Sequence, residues 1–264
     1  MTKNVTVTRV NVATAQREVR EDIVAREAPL HVFLGAIHFV SILCSPSMQK
    51  ELVVGYLLSE GLADSVNEIF NINFDKENRC FVTLRKPDIQ EHVFVSKPFA
   101  QLIVSACGSV GYRSLSELLS TIELKPLPFW QVDAKIVLEC VRGLNVLADT
   151  YRKSGGVHVA ALYKQNGELA VSAEDVGRHN AVDKVIGLAS LKGLDLNNCF
   201  LALSGRLTGN IVLKMARVGV PIVASLAAAI DSGVIVAEKA KITLIGFVRG
   251  NKMNVYSGLD RIGF

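Results

Sequence analysis

The stretch that decides the fold is VHVAALYKQNGELAVSAEDVGRHNAVDK, residues 157–184. Two runs typical of β-strands, VHVAALY and ELAVSAE, flank Asn166-Gly167, a dipeptide that favours a type I′ β-hairpin. The first run is apolar on both faces, which predicts a strand buried on both sides of a sheet. A helix is predicted over 180–192. This segment therefore predicts a β-hairpin that runs directly into a helix.

The rest of the C-terminal half alternates between strands and helices. Strands are predicted at FLALS, PIVAS, ITLIGFV and MNVYS, with helices over 208–218 and 232–240 between them. This alternation is typical of a layered α/β domain whose sheet is covered by helices on both faces.

The N-terminal half is predicted to be strand-rich. Strands are expected at VTVTRV, PLHVFLG, IHFVSIL, EIFNINF, RCFVTLR and HVFVS, with a turn over 75–78. Met48, Leu52 and Tyr56 recur at helical spacing and predict one apolar helical stripe that ends at Gly61. SLSELLS is a further helix candidate.

The segment KPLPFWQ, residues 125–131, carries two prolines and the only tryptophan, and we interpret it as a linker. Asp133 follows it and is expected to cap the next helix. The sequence thus predicts a smaller α+β domain over 1–130, which carries a cysteine loop, and an α/β domain over 131–264.

Composition excludes several classes of protein. The 264 residues are 50% hydrophobic with a net charge of +4, and no run of Lys or Arg suggests nucleic-acid binding. The longest uncharged stretch of the C-terminal third, 218–230, is shorter than the roughly 20 residues of a membrane span. The N-terminus shows no apolar signal region. We therefore expect a cytoplasmic protein with no membrane partner.

Cysteine usage indicates reduced thiols. The five cysteines are an odd number, widely spaced, with no CxxC pair and no zinc-ligand spacing, so no structural metal is expected. Four of them lie inside apolar strand or helix patterns and are expected in the core: Cys44, Cys80, Cys140 and Cys199.

Cys107 differs from the other cysteines, because it enters a loop of small residues in SACGSVG, residues 105–111. Neighbouring glycines let backbone amides approach a sulfur atom, and such amides favour the thiolate, which is the nucleophilic form. The alternative is a half-buried structural cysteine, since cysteine is often buried.

A second candidate site lies where the strand ELAVSAE meets the following helix. Glu174-Asp175, Arg178 and His179 come together there, and His158 begins the paired strand. Ligands of open α/β sheets bind at such strand ends. The alternatives are helix capping by Asp175 and Asn180, a solvated helix face for Asp183 and Lys184, and a core role for His158.

Two further strand exits carry glycine and arginine. LSGRLTGN, residues 203–210, offers Ser204, Arg206 and Thr208 before a helix, an arrangement that suits an anion. IGFVRGNKMNVY, residues 245–256, offers Arg249 and Lys252. The alternative for each is a solvated turn, and the first lacks the Gly-Lys-Ser/Thr ending of a P-loop.

These motifs resemble those of the formate dehydrogenase accessory sulfurtransferase family, FdhD. The similarity rests on SGGVHVAALY, EDVGRHNAVDK, LSGRLTGN, GVPIVAS and GFVRGNKMNVY, with ELVVGYLLSEGL and ACGSVGY in the N-terminal half. It covers the chain from about residue 20 onwards, and EDVGRHNAVDK is its most specific part. The resemblance implies a C-terminal domain with the cytidine deaminase fold.

The resemblance also implies a sulfurtransferase function. A cysteine desulfurase would hand a persulfide sulfur to Cys107, which would deliver it to the molybdenum bis(molybdopterin guanine dinucleotide) cofactor destined for formate dehydrogenase. The family implies a homodimer. Many members carry a second cysteine three positions after the first, whereas this chain has Val110, which excludes a resolving disulfide at that position.

The residues expected to bind the cofactor come from one segment that the resemblance implies and from the two clusters described above. The segment comprises Phe247, Val248, Arg249, Gly250, Asn251 and Lys252, and the clusters contribute His158, Asp175, Arg178, His179, Ser204 and Arg206.

Three other functions compete with the sulfur relay. A zinc deaminase is excluded because His158 is followed by Val159-Ala160 and no Cys-x-x-Cys exists. A cysteine hydrolase would pair Cys107 closely with His158 or His179. A chaperone that only binds the cofactor and the apoenzyme would not need the Cys107 thiol at all.

Overall fold

The computed structural model describes residues 1–85, 101–103 and 126–264. In these residues strands and helices mix as the sequence predicts, which confirms the α/β class. The predicted strand HVFVS, the helix candidate SLSELLS and the Cys107 loop lie outside the described residues.

The chain begins with a two-stranded ribbon. Strand β1 spans Thr2–Asn11 and pairs antiparallel with β2, Gln16–Ala25. The first strand confirms the prediction for VTVTRV. No strand is predicted over 16–25, because QREVREDIVA is dominated by charged residues and lacks an apolar face. Both strands are largely exposed.

A five-stranded sheet follows, with the order β5-β6-β3-β4-β7. Its strands are β3 (Ala28–Leu34), β4 (Ile37–Cys44), β5 (Ile69–Phe74), β6 (Arg79–Leu84) and β7 (Gln101–Ile103). The first four confirm the predicted strands. The turn over 75–78 is also confirmed, since the Asp75 carboxylate accepts hydrogen bonds from the amides of Glu77 and Arg79.

Helix α1, Gln49–Ser59, packs against this sheet. The prediction of a single apolar stripe is too narrow, because every residue from Leu52 to Ser59 is buried. The helix lies between the five-stranded sheet and a second layer of helices, so it has no solvent face along most of its length. Gly61, with φ of +72°, follows its end as predicted.

The C-terminal half contains a six-stranded sheet of order β10-β9-β11-β12-β13-β14. Its strands are β9 (His158–Lys164), β10 (Leu169–Asp175), β11 (Cys199–Leu203), β12 (Ile222–Ser225), β13 (Thr243–Arg249) and β14 (Lys252–Ser257). Neighbours β11, β12 and β13 run parallel, and the outer pairs are antiparallel. A short pair, β8 (Val132–Asp133) and β15 (Ile262–Gly263), adjoins this half.

Five helices belong to this half of the chain in the described residues. They are α2 (Ala134–Leu147), α3 (Asp149–Ser154), α4 (Arg178–Leu191), α5 (Gly209–Val218) and α6 (Asp231–Ala240). Asp133 caps α2 as predicted, since its carboxylate accepts from the Lys135 amide at 2.7 Å. None of the described helices is both long and apolar enough to cross a membrane.

The hairpin between β9 and β10 is confirmed, but its predicted turn type is wrong. A type I′ turn needs positive φ at both central residues, and of Asn166-Gly167 only Gly167 has it, at +82°. The Gly167 amide donates to the Lys164 carbonyl, and the Lys164 amide donates to the Glu168 carbonyl. This is a three-residue loop with glycine in the left-handed position.

Two hydrophobic clusters cover the two faces of the six-stranded sheet. One contains Val137, Val141 and Leu144 of α2. The other is continuous from α1 and the five-stranded sheet to helices α4, α5 and α6. Coverage on both faces confirms the layered prediction. The domain boundary at residues 130 and 131 and the cytidine deaminase likeness stay predictions.

Candidate functional site

The predicted cluster residues lie along one edge of the six-stranded sheet, which we call the polar edge. It comprises the carboxyl ends of β10, β11, β12 and β13 and the amino ends of β9 and β14. Helices α4, α5 and α6 each begin just after a strand that ends here. The first amides of a helix have no partner within the helix, and helix N-termini favour anions.

His158 and Ser204 are neighbours at this edge. The Ser204 Oγ lies 3.2 Å from His158 Nδ1 and accepts a hydrogen bond from the Val159 amide at 3.0 Å. His158 is half-buried. Burial, reinforced by the nearby guanidinium groups of Arg178 and Arg206, lowers its pKa below the ordinary value. The imidazole is therefore neutral at physiological pH.

Arg178 opens α4 and lies against the loop after β11. A Cβ atom on Gly205 would come within 2.7 Å of the Arg178 Cβ and 3.0 Å of its Cδ, so glycine is required for this approach. Arg206, the next residue in that loop, is exposed. Thr208 is the N-cap residue of α5, and its hydroxyl has no hydrogen-bond partner among the described residues.

His179 lies in the first turn of α4 and is only 5% exposed. Neither of its ring nitrogens has a hydrogen-bond partner in the described part of the chain. Burial, followed by the positive charges of Arg178 and Lys214, lowers its pKa to about 3. A buried polar group without a partner costs stability, so this imidazole is suited to accept or donate a hydrogen bond to a ligand.

Asp175 does not face the ligand side of the edge. Its side chain is fully buried, and its carboxylate accepts from the Ser45 amide, the Gly177 amide and the Asn180 side chain. Lys184 lies 2.6 Å from it. The alternative of helix capping is correct in part for Asp175, because its carboxylate accepts from the amide of Gly177, which is the N-cap residue of α4. The prediction that Glu174 and Asp175 both belong to the ligand-binding cluster is wrong, because the Glu174 carboxylate instead accepts from two amides of α3.

These contacts tie the two sheets together, and we call them the joint, formed by Leu43, Ser45, Asp175, Asn180 and Lys184. The Asn180 side chain donates to the Leu43 carbonyl at 2.8 Å, and the Lys184 ammonium donates to the Ser45 carbonyl at 3.1 Å. The carboxyl end of β4 is thereby fastened beside the start of α4, next to the polar edge.

The expectation of a solvated face at Asp183 and Lys184 is wrong, because both are buried. The Asp183 carboxylate receives the Lys214 ammonium at 2.9 and 3.0 Å and the Ser59 hydroxyl at 2.7 Å. Glu60 lies 2.9 Å from the same ammonium. This network is not predicted from the sequence. Lys214 within the apolar pattern of GNIVLKMARV is the signal that could have indicated a buried charge.

Segment 247–252, which the family resemblance implies as cofactor-binding, links β13 and β14 at the polar edge. Phe247 adopts a positive φ of +52° and is 40% exposed, with the Arg249 guanidinium 5.6 Å from its ring centre. Gly250, Asn251 and Lys252 are exposed. Val248 is fully buried in the core under α2, so its side chain is not available to a ligand.

Four of the five cysteines are core residues, as predicted. Cys44, Cys80, Cys140 and Cys199 are buried free thiols. Burial raises the pKa of Cys44 and Cys80 to about 12 and that of Cys140 to about 11, and it also raises the pKa of Cys199. Cys107 lies outside the described residues.

The geometry therefore brings together one set of predicted residues and separates another. His158, Arg178, His179, Ser204, Arg206 and the 247–252 segment share the polar edge, whereas Asp175 belongs to the joint. Cationic side chains, three helix N-termini and an exposed aromatic ring suit a phosphorylated ligand with a planar base.

Comparison with known proteins finds relatives that match most of this chain. Residues 25–263 match the model of the FdhD/NarQ family. Proteins called sulfur carrier protein FdhD are similar to this chain. The one from Sulfurisphaera tokodaii is 34% identical over 97% of this chain and 99% of its own length. The one from Bacillus subtilis is 32% identical over 92% of this chain and 91% of its own.

A solved structure is also similar over nearly the whole chain. It is the crystal structure of a protein from Desulfotalea psychrophila described as a formate dehydrogenase accessory protein, with a TM-score of 0.80, 26% identity and 99% coverage of both chains. The match to the family model and the identities of the relatives show that this chain belongs to the FdhD/NarQ family.

Proposed function

We propose that this chain is a sulfurtransferase that carries sulfur to the molybdenum cofactor of formate dehydrogenase. Cys107 accepts sulfur from a cysteine desulfurase as a persulfide. The chain then passes it to molybdenum bis(molybdopterin guanine dinucleotide), which is the cargo held at the polar edge. The names of the similar sulfur carrier proteins and of the accessory protein of known structure support this proposal.

The observation that carries the proposal is the position of β7, the described strand that precedes Cys107 in the sequence. Strand β7 runs parallel to β4, with Ile103 paired to Ile42. The carboxyl end of β4 is held by hydrogen bonds at the polar edge. Ile103 therefore lies on the side of the molecule that holds the candidate cargo site, and Cys107 follows it by four positions in the sequence.

The state of the other cysteines supports the choice of Cys107. Persulfide exchange needs a thiolate, and burial raises the pKa values of the four described thiols. Such thiols are neutral at physiological pH and are closed to a partner protein. The loop residue is therefore the best candidate for the carrier.

The loading step is an exchange without net oxidation. The Cys107 thiolate attacks the terminal sulfur of the donor persulfide, the donor S–S bond breaks, and the donor cysteine leaves as a thiolate. The new S–S bond lies on Cys107. A desulfurase and this chain must approach closely, which a cysteine followed by Gly108 and Gly111 favours.

The polar edge offers complementary groups for the cargo. Phosphate oxygens suit the guanidinium groups of Arg206 and Arg249 and the N-terminus of α4. The exposed ring of Phe247 offers a surface on which a guanine base can stack. The ring nitrogens of His179, which have no hydrogen-bond partner among the described residues, supply one further donor and acceptor.

Complementation tests the proposal in cells that lack their own copy of this protein. We expect the wild-type chain to restore formate dehydrogenase activity and Cys107→Ala to restore none. The matched control is Cys140→Ala, which removes a buried thiol and should still restore activity. Full activity with soluble Cys107→Ala would favour a chaperone that only binds cofactor and would contradict sulfur transfer.

A further inference from the structure

His158 and Ser204 form a short hydrogen-bonded chain that begins at the backbone. The Val159 amide donates to the Ser204 Oγ at 3.0 Å, and the same oxygen lies 3.2 Å from His158 Nδ1. The Ser204 amide donates to the Val159 carbonyl, which holds the two backbone segments in register. The distance between the hydroxyl and the ring therefore depends on the sheet itself.

The direction of the hydrogen bond follows from counting protons. An amide can only donate, so the Ser204 oxygen is the acceptor from Val159. The hydroxyl then has one proton to give, and among the described residues His158 Nδ1 is the acceptor within reach. A neutral imidazole carries its proton on one nitrogen. If Nδ1 accepts, the proton must be on Nε2.

The imidazole of His158 lies in a cationic environment. His158 Nε2 makes no hydrogen bond to a residue in the described ranges, and the ring lies within the electrostatic influence of Arg178 and Arg206. Burial and these two guanidinium groups keep the imidazole neutral. A ligand that is drawn to this place by two guanidinium groups is an oxyanion, which needs hydrogen-bond donors.

We propose that Ser204 is a positioning residue that fixes His158 in the Nε2-protonated tautomer, so that His158 donates a hydrogen bond to a phosphate oxygen of the cargo. The inference rests on the proposed function for the identity of the cargo and deepens it by assigning a role to each member of the pair. His158 acts as a neutral donor beside the charged guanidinium groups, and it adds directionality to their attraction.

The tautomer can be measured in the free protein by two-dimensional ¹⁵N–¹H spectroscopy of the histidine side chains. His158→Gln identifies the His158 signals by their loss. We expect the wild-type ring to be protonated at Nε2 alone, and Ser204→Ala to shift both nitrogens towards the averaged values of a tautomer mixture. Ser204→Thr keeps a hydroxyl and should restore the single tautomer. A proton on Nδ1 in the wild-type protein would overturn the proposal.

Binding of guanosine diphosphate tests the role of the donor. The amide nitrogen of glutamine occupies the place of histidine Nε2, and that of asparagine the place of Nδ1. We expect His158→Gln to keep the affinity within about threefold and His158→Asn to lose about tenfold, the usual effect of one hydrogen bond to a charged group. Equal losses in both variants would contradict a donor at Nε2.

The two measurements separate this inference from the function on which it rests. If the wild-type protein fails to bind guanosine diphosphate, the proposed cargo site is wrong, whereas the tautomer still reports on Ser204. If the nucleotide binds but Ser204→Ala leaves the wild-type tautomer unchanged, the positioning role alone is wrong.

Discussion

The Lys184 ammonium lies 2.6 Å from the Asp175 carboxylate, and both side chains are completely buried where the two sheets meet. Neither group can be hydrated, so each depends on the other and on the hydrogen bonds of the joint. This pair fastens the carboxyl end of β4 beside the polar edge, because Asp175 also receives the Ser45 amide and Lys184 donates to the Ser45 carbonyl.

Removing one partner of this pair should be costly. Lys184→Met leaves an uncompensated buried carboxylate, and we expect the free energy of unfolding to fall by about 3–5 kcal/mol. Lys164→Met is the matched control, because Lys164 and Glu168 form an exposed pair at 2.7 Å whose loss should leave stability nearly unchanged. Urea denaturation measures both. Similar small losses in the two variants would show that the joint contributes little.

The crossing of α1 and α4 predicts a second stability effect. A Cβ on Gly55 would collide with the Asp183 carbonyl, and one on Gly187 would collide with the Glu51 carbonyl. We expect Gly55→Ala and Gly187→Ala each to separate the helices and to reduce thermal stability strongly, because backbone cannot move aside as a side chain can.

The control for the crossing is Gly143→Ala in α2. A Cβ at this position meets no atom within 4 Å, so alanine should stabilise its helix by about 0.5–1 kcal/mol. If all three alanine variants melted at the same temperature as the wild-type protein, the close approach of α1 and α4 would be incorrect.

His179 predicts a dependence of stability on pH. Its pKa is lowered to about 3 in the folded chain by burial and by the charges of Arg178 and Lys214, whereas the unfolded chain takes up the proton near pH 6.5. Between these values the unfolded state binds more protons, so the free energy of unfolding falls as the pH falls through this window.

The comparison is with His179→Gln, which cannot take up this proton. Relative to that variant, the wild-type protein should lose up to about 1.4 kcal/mol per pH unit as the pH is lowered from 6.5. Denaturation of both proteins at several pH values between 7.5 and 5 measures the difference. A difference that is constant with pH would mean that His179 is accessible to protons in the folded state.

The polar edge predicts how charge affects ligand affinity. Arg206→Gln and Arg249→Gln should each weaken the binding of guanosine diphosphate by about tenfold, and the remaining affinity should depend less on salt. Arg142→Gln is the control, because Arg142 is an exposed residue of α2 and is not one of the residues of this edge. Titration calorimetry measures all three. An equal effect of Arg142→Gln would indicate general charge attraction instead of a site.

The sequence predicts most of the fold because hydrophobic periodicity and strand ends are local signals. The alternation after residue 157 and the cap at Asp133 are examples. The turn type at Asn166-Gly167 is not predicted correctly, because the same dipeptide fits a two-residue and a three-residue loop. The strand over 16–25 is missed because its side chains are charged and exposed, so it has no apolar pattern.

The candidate site is predicted as a set of residues but not as an arrangement. Glycine-flanked polar groups at strand ends point to the polar edge, where His158 and Ser204 meet. What the sequence cannot show is that Asp175 is directed towards Ser45, 130 positions away, because that contact depends on how the two sheets pack. The burial of Asp183 and Lys214 is hidden for the same reason.

Sulfur loading tests the central claim most directly. The wild-type protein is incubated with a cysteine desulfurase and cysteine, and its peptides are then analysed by mass spectrometry without reduction. We predict one added sulfur atom on the peptide that contains Cys107 and none on the peptides of the four buried cysteines. Absence of added sulfur on the Cys107 peptide, while the desulfurase itself is loaded, would contradict the account.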